Sequence, residues 1–103
     1  MYMNTYQKGN RRELEARKIL ESQGYLVDRK NRSKYASPDL FGMFDLLAIR
    51  ACEVLLVQVK SNKSDFYKAR KEIRAWKEQT GTTVQCQLWL KENNKDWRTE
   101  VIN

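Results

Sequence analysis

Two aliphatic runs set four residues apart constrain this chain more than any other feature. They are Phe44-Asp45-Leu46-Leu47-Ala48-Ile49 and Val54-Leu55-Leu56-Val57-Gln58-Val59-Lys60, joined by Arg50-Ala51-Cys52-Glu53. Such runs on a tight connection predict an antiparallel hairpin. Neither run alternates polar with apolar, so both faces of the hairpin must be covered, and the cover has to come from the flanking segments. Upstream, residues 10–23 (NRRELEARKILESQ) are strong helix formers with Leu14, Ala16, Ile19 and Leu20 apolar, and Gly24 follows as the stop. Downstream, Phe66, Ala69, Ile73 and Trp76 recur at i, i+3, i+7 and i+10, which predicts a second helix over 64–80 ending at Gly81. Tyr25-Leu26-Val27 reads as a short strand. Residues 84–90 alternate Val84, Cys86, Leu88 and Leu90 on one side, and WRTEVI (97–102) closes the chain as a last strand. The order is α-β-β-β-α-β-β, an α/β class with a mixed sheet flanked by helices. Residues 1–7 read as a mobile N-terminal arm on a single domain spanning 1–103, because a chain of 103 residues has surface enough for one core.

Charge and missing residue types narrow the function. Twenty Lys and Arg against thirteen Asp and Glu leave a net charge of +7, the footprint of a protein whose partner is a polyanion. There is no His, so Ser-His-Asp and Cys-His catalysis and His-ligated zinc are excluded. Two cysteines, Cys52 and Cys86, are too few for a disulfide framework and fit a reducing cytoplasm, of a cell or of a virus's host. No apolar run approaches a membrane span and the first residues open no signal peptide, so no membrane partner is expected.

The hairpin brings polar groups together. Centring its turn between Ala51 and Cys52 makes facing residue numbers sum to 103, so Arg50 opposes Glu53, Ile49 opposes Val54 and Asp45 opposes Gln58. Lys60 shares the face of Gln58. A carboxylate, an amide and an ammonium among aliphatic strands need pairing or a metal, since burying them alone is costly. Glu13 lies at i, i+3 and i+7 with Ala16 and Leu20, so the stripe that turns Leu20 inward turns Glu13 inward too. Glu13, Asp45 and the carbonyl oxygen of Gln58 make an all-oxygen donor set suited to Mg²⁺ or Mn²⁺. Beside a metal and a phosphate, Lys60 would orient or help deprotonate the attacking water and stabilise developing charge, which implies phosphodiester hydrolysis. The competing structural reading is an Asp-Lys pair with Gln58 hydrogen-bonded beside it. A literal Pro38-Asp39 offers a second acidic candidate, but the pairing sum sets Asp39 against Ser64, away from Gln58. Between the strands, Arg29, Lys30, Arg32 and Lys34 form a basic loop fit to hold phosphates, with Tyr35 able to stack on a base. Lys63, Lys68, Arg70, Lys71, Arg74 and Lys77 read mostly as the solvated outer face of the second helix.

Together these residues resemble the PD-(D/E)xK nuclease superfamily, with Phe44-Asp45 as the acidic motif and Gln58-Val59-Lys60 as the (D/E)xK motif. Within it they look like the archaeal-type Holliday junction resolvases. Lys8-Gly9, Glu13 and Gly24-Tyr25 match that branch in order and spacing, and VQVKS (57–61) is similar to its third-strand motif. Gln58 departs from the usual Glu, a variant shared with Mrr-type restriction endonucleases. The likeness runs over residues 8–80 and is topological beyond them. It implies a restriction-endonuclease-like α-β-β-β-α-β core and a catalytic set of Glu13, Asp45, Gln58 and Lys60, joined by Ser33 of the loop. It also implies Mg²⁺ (or Mn²⁺) held by Asp45, Gln58 and Glu13, and DNA contacts from Lys8, Arg11, Arg29, Lys30, Arg32, Lys34, Tyr35, Ser61 and Lys63. The function implied is a metal-dependent endodeoxyribonuclease of recombination and repair, structure-specific for branched DNA and working as a homodimer. Two competitors remain: a nuclease of other specificity (restriction-type, nick or flap), and a non-catalytic basic nucleic-acid-binding module on the same fold, favoured by the lost carboxylate at Gln58.

Overall fold

Both helices stop at a glycine in the left-handed region. The first, α1 (Thr5–Ser22), ends with Gly24 at φ +92°, whose N–H donates to the Glu21 carbonyl at 3.0 Å while Tyr25 N–H donates to that of Leu20 at 3.1 Å. This two-bond cap satisfies carbonyls that the helix leaves open. The second, α2 (Lys63–Thr80), begins with the Asn62 side chain accepting the Asp65 N–H at 2.9 Å and ends at Gly81, φ +67°. The computed structural model describes residues 5–29 and 40–103, with side chains from residue 11 onward. Between and after the helices lie β1 (Leu26–Arg29), β2 (Leu46–Arg50), β3 (Glu53–Lys60), β4 (Gln85–Leu90) and β5 (Arg98–Ile102).

The strands form one sheet in chain order, antiparallel except for the β3–β4 pair. A parallel pair needs a crossover, and α2 provides it. The hairpin register follows the expected sum, from Arg50↔Glu53 to Leu46↔Val57, with Ala51 at φ +50° in its turn. Its two apolar faces are covered as the composition requires. On one face Ala16 and Leu20 of α1 pack on Val27, Leu46, Ala48, Leu55, Val57 and Trp89. On the other, Phe66, Ala69 and Ile73 of α2 pack on Phe44, Leu56, Cys86, Leu88, Leu90 and Ile102. Burial pushes the Cys86 thiol pKa up, so this cysteine is an inert core residue.

Several expectations need correction. The first helix begins at Thr5, so residues 5–7 are helical rather than arm, and Gly9 inside it costs about 1 kcal/mol relative to Ala. Leu14 is exposed, because α1 turns the stripe of Arg12, Glu13, Ala16 and Leu20 inward instead. The strand β1 runs on to Arg29, while β2 starts only at Leu46, with Phe44 in an isolated bridge to Leu40. Two of the six cations assigned to a solvated face of α2 hold down β5. Arg70 pairs with Glu100 at 2.6 Å and lies over the Phe66 and Tyr67 rings, and the Lys77 ammonium donates to the Ile102 carbonyl at 3.1 Å. Among the described residues no helix is long and apolar enough to cross a membrane.

Candidate active site

Asp45 stands one residue before β2, where the ladder with β3 runs out. Its N–H donates to the Val57 carbonyl at 2.9 Å, and its Oδ2 accepts the Val59 N–H at 2.7 Å. Past Leu46↔Val57 no residue of β2 remains to meet that N–H, so the Asp45 side chain takes the place of a backbone acceptor. A carboxylate buried to 6% exposure is thereby fixed in direction.

Strand alternation then decides what Gln58 and Lys60 face. Leu55, Val57 and Val59 lie under α1 and Leu56 under α2, which puts Gln58 and Lys60 on the α2 side of β3. In β2, Leu46 and Ala48 lie under α1 and Leu47 under α2, but the alternation stops there, since Phe44 also packs under α2; Asp45, one residue before the strand, leaves the pleat and turns its carboxylate to the Val59 N–H of β3. The structure therefore sets Gln58 and Lys60 on one face at the end of β3 and brackets residue 58 with the Asp45 contacts to Val57 and Val59. Gln58 is 5% exposed, and its Oε1 has no hydrogen-bond partner among the described residues. A buried carbonyl oxygen without a donor costs about 1–3 kcal/mol, so a position that keeps one asks for a ligand. Lys60 is half-buried at the last position of β3.

Glu13 stands on α1, which covers the face of the sheet opposite to that of Gln58 and Lys60, and turns to the end of β1. It is 7% exposed and forms an ion pair with Arg29 Nη2 at 3.5 Å. Arg29, expected among the phosphate-binding loop residues, is thus the last residue of β1 and the partner of a buried carboxylate. Unpaired burial of that charge would be costly. Arg11 is exposed and pairs with Glu15 at 3.2 Å, Ser61 is half-buried after β3, and Lys63 is exposed at the first position of α2. Lys30, Arg32, Ser33, Lys34, Tyr35 and Asp39, and the side chain of Lys8, lie outside the described residues. Arg12 was missed. It is 9% exposed and stands at i, i+4 from Ala16, so the helical-stripe argument that found Glu13 would have found it as well.

The donors at this site fit a hard divalent cation. Among the described residues no three His, Cys, Asp or Glu side chains gather as a metal centre. A cation here would rest on carboxylates together with the orphaned Gln58 carbonyl, an all-oxygen set of the kind Mg²⁺ and Mn²⁺ accept.

The family model described as archaeal Holliday junction resolvase (Hjc) matches residues 4–102. Among solved structures 11 chains match. One is Archaeoglobus fulgidus Hjc, a Holliday junction resolvase from an archaeal hyperthermophile, 20% identical with a TM-score of 0.61 over 92% of this chain and 73% of that one. Among curated proteins nothing matches. At that identity the likeness shows the fold: a mixed five-stranded sheet between two helices, restriction-endonuclease-like.

Proposed function

Because the chain belongs to the archaeal Holliday junction resolvase family, and is thus a nuclease acting on DNA, we propose that it cuts branched DNA, four-way junctions foremost, by metal-dependent phosphodiester hydrolysis at Asp45, Gln58, Lys60 and Glu13. The observation that carries this reading is the buried Gln58 Oε1, which has no partner among the described residues, beside the buried Asp45 carboxylate held by the Val59 N–H. Mg²⁺ or Mn²⁺ would be held by Asp45, Gln58 and Glu13, and when bound it would polarise the phosphate and acidify a water.

The chain's own residues supply the rest. The Val59 N–H aims the Asp45 carboxylate, so no reorganisation is needed when a cation or substrate arrives. Lys60 presents three N–H donors on a flexible stem, suited to orienting the attacking water and to meeting negative charge as it develops on the phosphate oxygens. Gln58 contributes an oxygen without a charge, so the site binds its cation more weakly than one built with Glu. Each chain carries one such site, and symmetric cutting of a junction needs two, so the working unit is a homodimer. It acts in recombination and repair in the compartment that holds the DNA, the cytoplasm of a cell or of a virus's host.

Cleavage of a labelled four-way junction, beside duplex and single-stranded controls, tests the reading. Wild type with Mg²⁺ or Mn²⁺ should cut the junction in preference to both controls. Asp45→Asn keeps an oxygen for the Val59 N–H, so it should fold and bind but not cut. Lys60→Ala should keep its melting temperature and lose roughly two to four orders of magnitude in rate. Binding by wild type with no cutting in either metal would replace the enzyme with the binding module that the Gln58 amide favours.

A further inference from the structure

Between α1 and the turn joining β4 to β5, Arg11, Arg12, Glu15, Lys91, Asn93 and Asn94 line a cleft of about 500 Å³. Its lining holds three cations and a single carboxylate. Glu15 is shared by both arginines, at 3.2 Å from Arg11 Nε and 3.4 Å from Arg12 Nη1. Close guanidinium–carboxylate pairs run nearer 2.8 Å, so neither arginine is fully neutralised. Arg12 is nine-tenths buried, yet its other contact is with a neutral oxygen, Asn93 Oδ1 at 3.1 Å, and its Nε has no partner among the described residues. Burying a guanidinium this incompletely paired is costly for a fold that gains only stability from it. The turn itself is built for the place: Asn94 adopts φ +61°, and the Lys91 ammonium folds back to donate to the Lys95 carbonyl.

The cleft adjoins the candidate active site. Lys91 N–H donates to the Lys60 carbonyl at 3.0 Å, so Lys91 begins one residue past the strand pair that ends in Lys60. We propose that the cleft is a second phosphate-binding site for the DNA backbone, held by Arg12 and Lys91, which carries the DNA track from the catalytic end of β3 across the β4–β5 turn. This rests on the nuclease reading above and deepens it. A phosphodiester is the anion that fits: its two free oxygens match the planar fork of Arg12, and it brings the negative charge that one Glu15 carboxylate cannot supply to three cations. Glu15, about one-third exposed, is the group that gives way, since it can swing to water when phosphate arrives. A polynucleotide also repeats its phosphates along the strand, so a second contact beyond a cleavage site is geometrically natural.

Binding of a fluorescein-labelled four-way junction across a salt series tests this without relying on cleavage. Arg12→Ala empties a buried position and so mixes folding with binding, which makes Lys91→Ala, at a half-buried turn position, the primary variant. It should leave the melting temperature unchanged, flatten the log-log salt slope by about 0.9, and weaken binding roughly five- to tenfold at 0.1 M salt. Glu15→Gln removes the competing anion and should tighten binding. Lys71→Ala deletes the same charge from the exposed side of α2, on the other face of the sheet, and should leave the slope unchanged. An unchanged slope in Lys91→Ala, or an equal change in Lys71→Ala, overturns the second site while leaving the nuclease reading intact. Wild type that binds no DNA overturns the nuclease reading itself, and the cleft's assignment with it.

Discussion

Asp45 satisfies the backbone of β3 where the ladder ends, which accounts for its place one residue before its strand, and the site proposed above would use the same carboxylate for its chemistry. Its Oδ2 satisfies the Val59 N–H, and the loss of one ladder position frees the carboxylate from the pleat. The sequence pointed to this residue through pairing arithmetic, but the bend and the side-chain hydrogen bond depend on where the ladder ends, which arithmetic on residue numbers does not report. Gln58 carries the sharper prediction at this scale. Gln58→Glu sets a second carboxylate between the two β3 residues that Asp45 contacts, so without metal the like charges should lower the melting temperature. With Mg²⁺ the order should reverse: the variant should be stabilised more than wild type and need roughly three- to tenfold less Mg²⁺ for half-maximal cutting. Equal Mg²⁺ responses in melting for the two proteins would remove Gln58 from the metal.

Among the elements, the β2–β3 hairpin is anchored at its turn end, opposite to the Asp45 end, by a cluster around Tyr25. The Tyr25 hydroxyl donates to Glu53 at 2.6 Å, Arg50 lies over the Tyr25 ring at 4.2 Å, pairs with Glu53 at 3.1 Å and donates to the Gln23 carbonyl at 2.6 Å. This ties the turn to the chain leaving α1. The Tyr25 hydroxyl bond first, and then Arg50, hold Glu53 below the usual carboxylate range, and donation to that carboxylate, then burial, holds Tyr25 above the usual phenol value of 10.0. A carboxyl depressed on folding stabilises above its unfolded pKa and loses that contribution as pH falls through the folded one. A phenol raised on folding stabilises below its unfolded pKa and loses that contribution as pH rises past it. The melting temperature should therefore fall both below the ordinary glutamate range and above about pH 10, and Tyr25→Phe should flatten both limbs. A Tyr25→Phe profile that overlays wild type would detach the hairpin turn from this cluster. Element types and order were legible because periodicity and glycine stops are local. Boundaries were less so: Arg29 joined β1, and Phe44 and Asp45 left β2, because strand ends are set by the neighbouring strand and not by the run of apolar residues.

For the whole molecule, the homodimer expected of a junction-cutting enzyme gives the simplest check: sedimentation equilibrium should report twice the 12.3 kDa of one chain, and a mass of 12.3 kDa at cutting concentrations would mean that two sites meet only on the DNA. The same scale separates what the sequence determined from what it left open. Periodicity, glycine stops and the pairing sum determined the order of elements, the hairpin register and the shared face of Gln58 and Lys60, because each depends on residues close in the chain or opposed across one short turn. Only the tertiary structure decided that Arg29 neutralises Glu13, that Arg70 and Lys77 pin β5, and that Arg12 is buried against Asn93, 81 residues away. A helical stripe says which side chains turn inward. The partners they find there depend on how separate elements close over one another, since a buried charge is tolerated only where packing delivers a counter-charge or a hydrogen bond, and that delivery is a property of the assembled sheet and helices.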